Sequence, residues 1–237
     1  MLGVLINCVL ILVGSFLGLR LQGKLPPRFL TVLTQALSLC VLSIGIAGAI
    51  KTENTLCVVV CLVLGTLLGE AVNIEKRLDL LGESLRKRLL RQTGPGSTFT
   101  EGFVTASLLY CVGAMAIVGA IEAGIHQDYS ILVSKSVIDG VTAVSLAMAL
   151  GIGVAFSALP ILVYEGGITL LAVLVAGHLQ EAAITEMSAV GGCIIIGIGL
   201  NMLKLSQSPL KVGNMLPAIF LPLAYLPLAN WIGTIIP

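Results

Sequence analysis

Lys135 and Asp139 stand four residues apart, one helical turn, so their side chains share a helix face. Asp139 lies about nine residues inside an apolar stretch, which on a helix is about 13 Å from its end. A charge at mid-bilayer costs about 2.5 to 3.5 kcal/mol on insertion scales, so such a pair must face protein and be neutralised there. Two chemistries follow. Asp139 can exchange a proton or bind a cation, with Lys135 setting its ionisation or meeting an anionic cargo; the plainer alternative is an ion pair that only holds helices together. Thr142 extends the stripe, and Ser134, Ser136 and Ser145 flank it. Asn7, Asn201 and Asn214 are amides in other apolar stretches, suited to bonding a solute or a neighbouring helix. Glu70 and Glu165 fall near the cytoplasmic ends of their stretches, where reaching water is easy. Glu165 precedes Gly166-Gly167 and reads as part of an inner gate.

These residues need a frame. The chain has 237 residues, 57% hydrophobic and 11% charged, with mean hydropathy +1.07 and net charge +1. Soluble domains carry about 25% charge, so this is a multi-pass membrane protein, and its near-zero charge argues against a nucleic-acid partner. Apolar windows fall at about 2–20, 30–50, 55–73, 102–121, 130–158, 160–178, 187–204 and 212–234. Without period-two alternation they must be helices, because only helices and closed barrels satisfy their backbone in lipid. The expectation is an all-α integral membrane protein of about eight spans. The count runs from seven to nine because the fifth window is too long for one straight helix and ends near Pro160.

Charge then orients the spans. Arg20, Lys24, Arg28, Lys76, Arg77, Arg86, Lys87, Arg88, Arg91, Lys204 and Lys211 fall on one side of an alternating eight-span path, 11 of the 13 basic residues. By the positive-inside rule that side is cytoplasmic and both termini are extracytoplasmic. The first apolar run has no basic leader and no cleavage site after it, and reads as a retained span. Residues 73–92 have apolar positions at three- and four-residue steps, from Ile74 to Leu89, and predict a basic amphipathic helix on the inner membrane surface. Thr93–Ser97 is a breaker cluster. The chain thus divides into a three-span segment (1–73), a cytoplasmic helix and linker (74–98) and a five-span segment (99–237), one transmembrane domain overall.

Gly14 and Gly18, and Gly65 and Gly69, are small-xxx-small pairs that let helices approach closely. Helix-breaking chemistry gathers at Gly140, Gly151, Gly153, Ser157, Pro160 and Gly166, and again at Pro217, marking gating or broken helices. Ser107–Gly124 aligns with Ala189–Ser206 through Cys111 and Cys193, and Lys135 then corresponds to Asn214. That pattern predicts three-helix units repeated with inverted topology, so that Asn214 would reach the charged centre from the opposite half. The six Cys lie in apolar stretches and read as free thiols, although Cys57 and Cys61 are spaced to bind a soft metal. His126 and His178 lack metal-ligand spacing, and no phosphate-binding or nucleophile motif occurs in its required context. Neither an enzyme, a cofactor nor a metal centre is expected.

The elements GAMAIVGAIEAG, LVSKSVIDG and LGIGVAFSA within Gly113–Ser157, with SAVGG at Ser188–Gly192 and NMLPA at Asn214–Ala218, resemble the bacterial multi-pass family catalogued as domain of unknown function 554. The likeness covers essentially the whole chain. It implies an integral protein of the bacterial cytoplasmic (inner) membrane with a role in transport. Lys135, Asp139 and Gly140 match the family's Lys-x-x-x-Asp-Gly element, while Glu165 stands where that pattern has Gln. The expected function is transport of a small polar or charged solute or ion by ion- or proton-coupled alternating access. A passive ion channel and a non-transporting membrane scaffold are the alternatives. The partners expected are the bilayer, the solute and a second copy in a homodimer.

Overall fold

The computed structural model describes residues 1–22, 24, 26–90, 98–112, 114–175, 181–204 and 208–235, and among them every regular element is helical. The elements are α1 (Leu2–Gln22), α2 (Pro27–Ala49), α3 (Thr55–Val72), α4 (Ile74–Leu90), α5 (Thr98–Cys111), α6 (Ala114–Ile125), α7 (Ser130–Leu150), α8 (Gly153–Phe156), α9 (Ala158–Val175) and α10 (Glu181–Met202). A 3-10 helix (Val212–Phe220) and α11 (Pro222–Ile235) follow. The Thr93–Ser97 cluster, His178 and the side chains of Arg86 and Arg88 lie outside the described residues.

Six helices are long and apolar enough to cross a membrane, and the count reaches eight if two bent pairs are each one span. The α5–α6 pair is bent by 61° and the 3-10–α11 pair by 43°. The helices are inside-out relative to soluble ones. On α1, Val4, Asn7, Ile11 and Gly14 are buried while Leu5, Val9, Leu12 and Phe16 are half exposed. Such an apolar outer face is a liability in water and a requirement in lipid.

Local signals set the helix ends. Pro27 opens α2 in the first turn, where its missing N–H is no loss. The Asn54 side chain accepts from the Cys57 N–H at 3.0 Å and caps α3, which ends on Asn73 in the left-handed conformation. The amphipathic helix expected over 73–92 forms as α4 and packs on α5, with Gly82 against Thr100 and Phe103.

Glycine contacts fix who packs on whom and in which direction. On α1, Gly14 faces the Gly140 carbonyl of α7 and Gly18 that of Val144, so α1 and α7 run parallel. On α2, Gly45 meets Ile196 and Gly48 meets Gly192 of α10, an antiparallel pair. On α3, Gly65 meets Ala218 and Gly69 meets Asn214, so the 3-10 helix runs antiparallel to α3. Each N-terminal span therefore packs on a C-terminal one, and the division at residue 73 is not a division in space.

Two of the expected helix breaks are absent, and the two aligned segments differ in shape. The long fifth window breaks at Gly151, which takes φ +81, and not near Pro160. Pro160 occupies the first turn of α9, where proline is tolerated. Gly166-Gly167 lies inside continuous α9 helix, so no break occurs there. The aligned segments Ser107–Gly124 and Ala189–Ser206 differ in shape: the first includes the α5–α6 bend, while the second follows straight α10 as far as Met202.

Candidate functional site

The close approach of α1 to α7 creates the site. Because Gly14 and Gly140 carry no side chain between the two backbones, the short Asn7 side chain reaches α7 and α9 together. The Asn7 Nδ2 donates to Asp139 Oδ2 at 3.1 Å and to Glu165 Oε2 at 3.1 Å and Oε1 at 3.3 Å. The Lys135 ammonium donates to Asp139 Oδ2 and pairs with Glu165 Oε1 at 3.0 Å. Ionised carboxylates only accept, which sets the amide orientation of Asn7. Its Oδ1 is then buried without a partner. Asn7 and Glu165 are 0% exposed and Lys135 and Asp139 6%, so one basic and two acidic side chains share an interior closed to bulk water.

Glu165 is thus displaced from its expected place near a cytoplasmic end. The span begins at Gly153 rather than near Pro160, which puts Glu165 about 15 Å from the far end of α9 and at the height of Asp139. Asn7, Lys135, Asp139 and Glu165 come together, and four candidates do not join them. Asn214 is held elsewhere: its Nδ2 donates to Glu70 Oε2 at 2.5 Å and its Oδ1 accepts from the Glu75 N–H at 2.7 Å. Ser134 is exposed and Thr142 half-buried, and they bond back to the Ser130 and Ile138 carbonyls, the usual way a helical hydroxyl is satisfied. Asn201 clamps Leu210 by donating to its carbonyl and accepting from its N–H, both at 2.8 Å, and so ties the end of α10 to Leu210.

The breaker residues are placed as packing and backbone devices. Gly140 lies against Leu10, Gly153 against Phe99 and Phe103, and Ser157 is buried and donates to the Val154 carbonyl at 2.7 Å. Gly166 is buried within α9, and Pro217 sits inside the 3-10 helix.

A second polar cluster latches the 3-10 helix to the α3–α4 corner. Lys211 pairs with Glu70 at 2.6 Å, and the Gly213 N–H donates to Glu75 Oε2 at 2.6 Å. Burial pushes the Glu75 carboxyl above its ordinary range, opposed by the Gly213 N–H. A cavity of about 1040 Å³ adjoins this latch between α4, α5 and the end of α10, lined by Glu75, Asp79, Glu101, Thr105, Asn201 and Lys204 among others. It lies at the end of the bundle where α7 finishes, since Gly102 of α5 packs on Leu150.

Glu186 also went unrecognised in the sequence. It is 2% exposed and accepts from the Thr52 hydroxyl at 2.6 Å and the Glu53 and Asn54 N–H groups, so it staples the α2–α3 turn to α10. The signal was available: an acid early in a long apolar helix, opposite a polar turn. Cys57 and Cys61 are buried with their Sγ atoms 3.8 Å apart, and no group of three or more His, Cys, Asp or Glu side chains is placed to hold a metal ion among the described residues.

Two curated relatives match over nearly their full length. The chain is 30% identical over 226 residues to "Uncharacterized membrane protein YdfK" of Bacillus subtilis (strain 168), covering 94% of each. It is 32% identical over 222 residues to "Uncharacterized protein YqgA" of Escherichia coli (strain K12), covering 93% of this chain and 94% of the relative. No solved structure matches. The helical membrane architecture, the full-length relatives and a family match over residues 2–226 agree: the chain belongs to the family described as protein of unknown function (DUF554).

Proposed function

We propose that this protein is a secondary transporter of a small polar or charged solute or ion in the bacterial inner membrane, working by alternating access around Asn7, Lys135, Asp139 and Glu165. The observation that carries the proposal is the buried ionic cluster. If its task were only to hold helices together, apolar side chains of similar volume would do as well or better, because buried ion pairs recover their desolvation cost poorly. Three charged groups that do not cancel, held by one amide across three helices, are what a site that binds and releases charge requires.

Two features support movement around the centre. The Gly151 break follows the helix carrying Lys135 and Asp139 and precedes the span carrying Glu165. The bent 3-10–α11 pair is latched by Asn214 beside the cavity, which in this reading is the cytoplasmic vestibule. The inverted three-helix relation, the extracytoplasmic termini and assembly as a homodimer in the bilayer belong to the same proposal. No catalytic role and no cofactor are part of it.

The test is a solid-supported-membrane current screen on proteoliposomes of the full chain, wild type against Asp139→Asn, over inorganic ions, amino acids and organic acids with and without a pH gradient. A saturable, solute-specific current lost in the variant is expected. A current that never saturates would assign a channel instead. Silence across the panel with both proteins equally stable would remove the transport reading and leave the membrane scaffold.

A further inference from the structure

We infer that the buried centre binds one monovalent metal cation of the alkali class, ligated by oxygens of Asn7, Asp139 and Glu165. The inference deepens the transport reading and rests on it for its biological use, since the cation would be the coupling ion or the cargo.

Charge comes first. Lys135 faces both Asp139 and Glu165, so with all three ionised the centre keeps one negative unit in an interior where Glu165 is fully buried. One positive unit balances it, and a divalent ion would overshoot.

The hydrogen-bond inventory points the same way. Asn7 spends its Nδ2 on the two carboxylates and leaves Oδ1 buried and unpartnered. A proton on Glu165 would settle the charge but not the amide: as oriented, Oδ1 still lacks a donor, and turning the amide to give Oδ1 that proton strands Nδ2 instead. A metal ion on Oδ1 satisfies the amide in place, with Nδ2 still on the carboxylates.

The ligands decide the class. Lys135 occupies Asp139 Oδ2 and Glu165 Oε1. What remains is Asn7 Oδ1, Asp139 Oδ1 and the second lone pair of Glu165 Oε2, whose first accepts from the Asn7 amide, all hard donors that suit alkali ions rather than soft metals. The free coordination positions go to water or to an oxygen of the transported solute.

The experiment titrates NaCl, LiCl, KCl and choline chloride at constant ionic strength into the purified full chain in detergent and follows the apparent melting temperature. A ligand that binds only the folded state raises it with concentration. Expected is a saturable rise with at least one alkali cation and none with choline, abolished in Glu165→Gln, which removes the net charge but keeps an acceptor for Lys135. Sodium NMR line broadening by wild-type protein, reversed by excess of a competing alkali ion, reads the same site without any variant. Equal melting in all four salts without line broadening overturns the inference, as does a rise undiminished in a folded Glu165→Gln protein. A response to pH with none to cations gives the balancing charge to a proton and also overturns it. The two readings fail separately. Cation binding without any solute current would remove transport and keep the site, whereas an Asp139-dependent current indifferent to the cation would do the reverse.

Discussion

Without the Lys135 ammonium, the Asp139 and Glu165 carboxylates would be bridged by the Asn7 amide alone. Removing one partner of a buried ion pair costs about 3–5 kcal/mol, because the other is left charged and unpaired. Lys135→Met should therefore lower the apparent melting temperature in detergent sharply, and adding Asp139→Asn should restore part of the loss. A Lys135→Met protein as stable as wild type would mean that the charges are not shared as the geometry shows. The sequence displayed half of this centre. Lys135 and Asp139 were legible because one helical turn separates them. Asn7 could be singled out only as one of three buried amides, since what selects it over Asn201 and Asn214 is the approach of α1 to α7. Glu165 was misplaced because its height depends on where its span begins, and Pro160 looked like that beginning when Gly151 and Gly153 set it.

Two glycines separate the ways an element can fail. A Cβ on Gly14 would enter the Gly140 carbonyl, so Gly14→Ala must push α1 off α7. Overpacking of this kind costs about 1–3 kcal/mol, and it should also pull Asn7 from the carboxylates, lowering both the melting temperature and the solute current. Gly151 meets nothing within 4 Å, but its φ of +81 and ψ of −161 lie where essentially only glycine is at ease. Gly151→Ala should cost about 1–3 kcal/mol of backbone strain while leaving the Asn7 contacts in place, so a wild-type Lys135→Met effect on top of it is the expected outcome. Differential scanning fluorimetry of the single and combined variants checks both. At this scale the apolar windows located the spans well, since lipid demands the same length and polarity of every crossing. The bends were less legible. The 61° turn between α5 and α6 carries no proline to announce it.

Direction of packing constrains the whole molecule. Because α1 and α7 run parallel, an odd number of crossings must lie between them, and with α2 and α3 each crossing once the bent α5–α6 pair has to supply the third. Its ends agree: Phe99 sits by Gly153 at one end of the bundle, and Gly124 by Thr169 and Ala172 at the other. The antiparallel pairings of α2 with α10 and of α3 with the 3-10 helix fit the same alternating path, which returns the chain to its starting side after eight crossings. The repeat suggested by Ser107–Gly124 and Ala189–Ser206 was harder to read, because Gly, Ala and Ile dominate any lipid-embedded segment and match one another readily. What sets the absolute side is charge: Lys76, Arg77, Lys87, Lys204 and Lys211 all belong to the end that carries α4. A full-length fusion of alkaline phosphatase to Pro237 should then be active, and the same reporter at Gly94 inactive, with a fluorescent reporter giving the opposite pattern. An active fusion at Gly94 would invert the molecule and place the 1040 Å³ cavity on the outer face.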